Sequence, residues 1–308
     1  MNPLITTLFA LALLPVQAAS GQTLNGFDLS NASVPVEEIL SGGPLRDGIP
    51  AIDRPRFVAA REAGFLKDDD RVLGLVLSGI ARAYPIRILN WHEIVNDRFD
   101  GEAVVISFCP LCGTGTAFRP GQGKAKTFGV SGLLYNSDLL LYDRETESLW
   151  SQILAKAVSG TLHGERLQLL PLEHTTWRDW RERYPGTLVL STDTGHRRDY
   201  NRSPYAGYET SGGLYFPVTR IDPRYHPKEQ VIGIEIGGRF KAYPFGELAR
   251  TTGEVIDEIN GTKVIIRFDK THRSAQAFDA DNKMIPGITG FWFAWMAFHP
   301  DSEVFIAE

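Results

Sequence analysis

The chain has 308 residues, of which 43% are hydrophobic and 22% charged, and a formal net charge of −5. That length and composition supply a substantial core and exclude bulk disorder. The negative balance lacks the basic footprint of a nucleic-acid or anionic-membrane partner, and two cysteines are too few for a disulfide framework.

The N-terminus reads MNPLITTLFALALLPVQAAS. An apolar stretch from Leu4 to Leu14 leads through Pro15 to Val16-Gln17-Ala18, small residues at the spacing a signal peptidase needs, although no Lys or Arg precedes the stretch. Residues 1–18 therefore read as a signal peptide, and residues 19–308 as a single exported unit, periplasmic or secreted. No later apolar run has the length of a membrane-spanning helix.

Residues 72–85, VLGLVLSGIARAYP, return at 231–244 as VIGIEIGGRFKAYP, with six of the fourteen positions identical. Residues 95–118 return at 255–278, where eight of twenty-four positions agree. The chain thus carries an internal duplication, with copies at about 72–150 and 231–308 and an insertion at 151–230. Two copies are too few for an open solenoid, so the halves are expected to pack around a shared core.

Within the first copy, Ser78-Gly79 and Asp100-Gly101 each separate two apolar runs, the signature of a two-residue hairpin turn with positive φ at both central residues. Asn260-Gly261 repeats the second turn in the second copy. Pro85 is placed to open a short helical turn over 86–90. Carried down the Asp100-Gly101 hairpin, the register sets Val95 opposite Ile106, Glu93 opposite Phe108 and His92 opposite Cys109, at a non-hydrogen-bonded pair where side chains lie closest. Residues 128–143 read as strands with a glycine bend. Thr176-Trp177-Arg178-Asp179 starts a helix that places Trp177, Trp180 and Tyr184 on one face, an aromatic stripe of core character. Gly, Pro and Tyr crowd 200–217, an irregular loop region. The predicted class is β-rich α+β: two repeated, hairpin-containing halves packed as one globular unit with few short helices.

The two cysteines lie in Ile106-Ser107-Phe108-Cys109-Pro110-Leu111-Cys112-Gly113-Thr114-Gly115. Thioredoxin-like sites put Cys-x-x-Cys at the start of a helix, but the glycines and threonines after Cys112 open a helix poorly. A strand, Cys-Pro-Leu-Cys-Gly, then a strand resembles the knuckle of zinc ribbons and rubredoxins, in which both sulfurs face one ion. With no second cysteine pair, a metal must recruit another residue, and His92 is the candidate from the register. Such a set leaves a fourth position open and suits zinc or copper. The second copy has Asp269 and His272 where the first has Cys109 and Cys112, either a structural variant or a second, oxygen/nitrogen site. The oxidising compartment expected of an exported protein also allows a redox-active or a merely structural disulfide.

The segments Ala83-Tyr84-Pro85, His92 to Asp97, Cys109 to Thr114, Phe128 to Asp138 and Tyr142 to Gln152 together resemble a bacterial and archaeal family catalogued as domain of unknown function 3179. The likeness runs from about residue 45 to at least 220. It implies export and a shared fold rather than a particular reaction. It also marks His92, Asn136, Asp138, Asp143, Arg144, Trp150 and Gln152 as parts of the family pattern. Three functions are compatible with these residues: binding of a transition metal, zinc or copper, through Cys109, Cys112 and His92, for handling or for catalysis; thiol–disulfide exchange by Cys109 and Cys112; or binding of a small molecule or partner at the Asn136/Asp138/Asp143 and 200–217 surfaces beside a structural disulfide.

Overall fold

The computed structural model describes residues 22–120 and 127–308. The segment expected as a signal peptide lies outside the described residues. As the hairpin and strand pattern predicts, strands dominate, and the described helices are the four short α-helices Ile86–Leu89, Trp177–Arg183, Phe245–Leu248 and Trp292–Phe298, together with two single 3-10 turns. The sheets pack as one globular unit.

Two hairpins recur in each copy. Arg71–Leu77 pairs with Ile80–Pro85, and Gln230–Ile236 with Arg239–Pro244. Ile94–Phe99 pairs with Glu102–Cys109, and Val255–Ile259 with Thr262–Asp269. Asp100 (φ 47°) with Gly101 (φ 82°), and Asn260 (φ 51°) with Gly261 (φ 74°), have the positive φ at both central residues that the sequence predicts. A short helix follows each first hairpin directly after Pro85 or Pro244, whose φ of −63° and −62° leads the chain into the helical region.

The structural repeat extends beyond the segments matched in sequence. In the first copy, strand Glu173–Thr176, helix Trp177–Arg183 and strand Leu188–Leu190 pack on the first hairpin. In the second copy, Ile288–Phe291, Trp292–Phe298 and Glu303–Val304 pack on the equivalent hairpin in the same way. In both, the first added strand runs antiparallel and the last parallel to its hairpin neighbour. The first copy is therefore interrupted by strands lying between Phe128 and Leu170 and resumes at Glu173, unlike the expected boundaries of 72–150 with an insertion over 151–230. The returning segment shares few positions, Trp177 with Trp292, Trp180 with Trp295, Pro185 with Pro300 and Val189 with Val304, too few to register as a repeat.

Four of the interrupting strands join Ile39–Ser41 in an antiparallel sheet, ordered Lys156–Ser159, Leu149–Ser151, Asp138–Asp143, Phe128–Tyr135 and Ile39–Ser41, while Gln168–Leu170 pairs with Thr114–Arg119. A second sheet mixes the copies: Thr114–Arg119 of the first meets Ile288–Phe291 of the second at Thr289 and Gly115. The Cys-x-x-Cys turn lies where these two sheets meet, inside a core cluster with Phe128, Leu141, Trp150, Phe291 and Phe293.

Candidate functional site

The cysteine turn sits between two strands, Glu102–Cys109 and Thr114–Arg119, which pair antiparallel down to Cys109 and Thr114. Gly113 adopts φ 59°, a conformation easy only for glycine, and a Cβ there would stand 2.8 Å from the Phe291 ring. Strand follows the turn, not helix, so no helix N-terminus faces either sulfur.

The expected register holds from Phe99 opposite Glu102 up to Ile94 opposite Ser107. There the ladder ends, because Glu93 takes φ 56° while its carbonyl still accepts from Phe108 N at 2.8 Å. This reversal turns His92 out of line with Cys109. The His92 ring is fully buried elsewhere, with Nδ1 2.8 Å from Pro50 O and Nε2 2.7 Å from the Tyr200 hydroxyl. Since the Pro50 carbonyl can only accept, Nδ1 carries the proton and Nε2 accepts from Tyr200. Burial, with His196 and Arg198 nearby, lowers the imidazole to about 4 against the Pro50 hydrogen bond. His92 is thus a neutral, fully bonded core histidine rather than the third member of the cysteine cluster.

The structure brings Asp138 to that place. Ligand atoms of Cys109, Cys112 and Asp138 lie within 4.8 Å of one another, and all three side chains are buried. Asp138 is delivered by a tight turn, Asn136 (φ 50°) and Ser137 (φ 63°), between strands Phe128–Tyr135 and Asp138–Asp143. Asp138 Oδ2 accepts from Ile153 N at 3.2 Å, whereas Oδ1 is buried and forms no hydrogen bond of ordinary geometry. Cys109 Sγ lies 3.7 Å from Ser137 O.

The electrostatics are those of crowded acids. Burial raises Asp138 to about 7, although donors at Ile153 and the thiols oppose it. Burial and the Asp138 charge raise Glu93 to about 8. Both thiols are pushed up by burial, Cys112 further by Cys109. Four acidic groups thus share a buried region in which the Asp138 charge disfavours ionisation of Glu93 and of both thiols, while the thiols as donors favour the Asp138 carboxylate. The Lys228 ammonium is close enough to Cys112 to feel its charge; it donates to Ser211 O (3.1 Å) and Gly213 O (2.8 Å) and lies 3.8 Å from the Tyr208 ring centroid.

Segment 200–218 covers the cluster with Tyr205, Tyr208, Leu214 and Phe216. It is pinned by Ser137 Oγ to Phe216 O (2.8 Å) and by Thr219 N to Asn136 Oδ1 (2.8 Å). A cavity of about 200 Å³, walled by Leu111, Leu139, Tyr205, Tyr215 and Phe216, reaches Glu93 beside the cluster.

The remaining pattern residues divide. Gln152 Nε2 braces the strands flanking the cysteine turn at Ser107 Oγ (3.0 Å) and Thr114 O (3.3 Å), and its Oε1 has no partner. Asp143 accepts from Thr146 N at 2.6 Å and from Trp150 Nε1 at 2.9 Å, holding a turn and a core tryptophan. Arg144 pairs with Asp53 at 3.0 Å. Asp143, Arg144 and Trp150 therefore build the wall of the inserted sheet. Asp269 and His272 are joined at 2.7 Å, with Asp179 near them, at a partly exposed surface. Glu93 escaped the sequence reading; its place just before the strand that pairs with the cysteine strand was the available signal.

The family model described as Protein of unknown function (DUF3179) matches residues 46–284. The chain belongs to that family. No curated protein and no solved structure matches it. Cys109, Cys112, Asp138, Glu93 and the covering segment all fall inside the DUF3179 match, so the cluster is built within the family domain. The match ends before the strand and helix at 288–298 that complete the second copy.

Proposed function

We propose that this DUF3179 protein binds a thiophilic divalent metal ion, zinc in the first place, through Cys109, Cys112 and Asp138. The observation that carries this reading is the convergence of two thiols on a fully buried carboxylate whose Oδ1 forms no hydrogen bond of ordinary geometry. A buried polar atom without a hydrogen bond is costly, and a cation supplies what the surrounding groups do not. A carboxylate oxygen beside two sulfurs suits zinc better than Cu(I), which favours an all-sulfur set. Binding would hold both thiols as thiolates and leave a fourth position. Glu93, at the end of the neighbouring cavity, is the group available to exchange a proton near it. We further propose export, on the strength of the N-terminal sequence.

The closeness of the two sulfurs supports one other reading, a reversible disulfide. Raised thiol pKa values and the lack of a following helix count against an activated nucleophile. Metal analysis and thiol counting on one preparation made without chelator separate the two. Stoichiometric zinc with both thiols reduced, lost in Cys112→Ser and Asp138→Asn, is the expected result. A metal-free protein with no titratable thiol would replace this reading with the disulfide one.

A further inference from the structure

A separate cavity of about 360 Å³ lies between the cysteine turn of the first copy and the matching Asp269–Arg273 turn of the second. Three cationic side chains line it: Arg71, Lys228 and Arg273. Among the described residues, none of the three forms an ion pair with a carboxylate. Arg71 donates to the carbonyls of His272 and Arg273, the latter at 3.1 Å, and Arg273 donates to Gln230 Oε1 at 3.2 Å. Lys228 is 5% exposed and bonded only to carbonyls. These acceptors are neutral and orient the cations, and the carboxylate charges felt at Arg71 are those of Glu209 and Asp179, neither in an ion pair with it. Glu209 is the sole carboxylate among the lining residues, and Ile86, Phe108 and Phe291 supply apolar wall.

Comparison of the copies sharpens the point. Arg273 stands where the first copy has Gly113, and the two share a positive φ, 46° and 59°. This backbone conformation costs an L-residue about 1 kcal/mol or more, and glycine would avoid the cost. Arg71 likewise stands where the second copy has Gln230. Each copy therefore contributes one arginine, from non-equivalent positions, to the same cavity. Charges of like sign held together in a partly buried space, at a strained position, are what recognition of an anion requires, and guanidinium groups match the oxygens of carboxylates and phosphates.

From this geometry we propose that the cavity binds a small organic anion, its carboxylate or phosphate head on Arg71, Lys228 and Arg273 and its apolar body against Phe108 and Phe291. None of these residues belongs to the proposed metal site, so this proposal and the metal reading fail independently.

The test uses phenyl phosphate and benzoate as probes, each against sodium chloride at equal ionic strength, by thermal unfolding and calorimetric titration of the whole protein. At least one probe is expected to raise Tm above the chloride control, and which one does so identifies the head group. Arg273→Gly, which restores the residue of the first copy and relieves the backbone, is expected to fold at least as well without ligand. It should nonetheless weaken probe binding by about tenfold or more, as should Arg71→Gln. Absence of any probe effect beyond chloride would overturn the proposal, as would wild-type affinity in Arg273→Gly.

Discussion

Trp180 occupies the space in which Gly74 would carry a Cβ: its Cζ3 and Cε3 lie 2.2 and 2.3 Å from that point. Trp295 stands against Gly233 at 2.2 and 2.3 Å in the second copy. Each indole N–H is fixed beyond its helix, Trp180 to Thr187 Oγ1 and Trp295 to Ser302 Oγ, both at 2.9 Å. A methyl group at either glycine must displace an anchored ring. Gly74→Ala and Gly233→Ala are each expected to destabilise the protein by about 1–3 kcal/mol in denaturant titrations, the usual range for overpacking. A variant unchanged in midpoint would show that the helix shifts freely.

His92 and Asp138 make opposite predictions about metal and stability. His92→Ala leaves the buried Pro50 carbonyl without its donor and takes one of two partners from the Tyr200 hydroxyl, which keeps Thr194 Oγ1 at 2.6 Å, so a loss of about 1–3 kcal/mol is expected with zinc content unchanged. Asp138→Asn removes a proposed ligand, so zinc affinity should fall by more than about tenfold in a chelator competition, while the metal-free fold survives. Loss of zinc in His92→Ala with the fold intact would restore His92 as the ligand.

The two copies share another triad. Arg82 pairs with Asp97 at 2.5 Å, and Tyr84 donates to the same carboxylate; Lys241 pairs with Asp257 at 2.7 Å, and Tyr243 donates to it at 3.0 Å. Asp97 is 4% exposed at the side chain and Asp257 19%. Removing one partner of a buried pair strands the other, at about 3–5 kcal/mol. Asp97→Ala is expected to approach that cost and Asp257→Ala to fall well short of it, because water reaches the second pair. Equal midpoints for the two variants would contradict the burial argument.

His299 is stacked on Phe240 with ring centroids 4.0 Å apart. Burial lowers it from 6.5 to about 4. Below pH 6.5 the unfolded chain takes up a proton that the folded one refuses, so this residue's share of stability is present above 6.5 and lost as pH falls toward 4. The limiting slope is about 1.4 kcal/mol per pH unit for one group. His174, lowered by burial to about 3, adds to it, while Glu93, raised to about 8, acts in the opposite sense. His299→Phe should therefore flatten the acid limb relative to wild type, read as the difference between their pH–stability curves. Parallel curves would mean that His299 takes up its proton in the fold as readily as in the unfolded chain.

The sequence by itself determined what depends on neighbours along the chain. Tight hairpins follow from two-residue turns whose φ must be positive, and the register up to Ile94 follows from the turn. Strand after the cysteines, and not helix, follows from Gly and Thr. The duplication was legible wherever strand residues repeat, and it is hidden at Glu173–Leu190 because little more than the tryptophans that fill the glycine notches recurs. Tertiary structure decided the site. One backbone reversal at Glu93 sends His92 to Pro50 and Tyr200, and no local rule announces a positive φ at a glutamate. Asp138 reaches the cysteines only because the inserted sheet folds back over their turn and delivers it from the Asn136–Ser137 bend. Distance along the chain carries no information about such a meeting, which is set by the packing of two sheets on a common core.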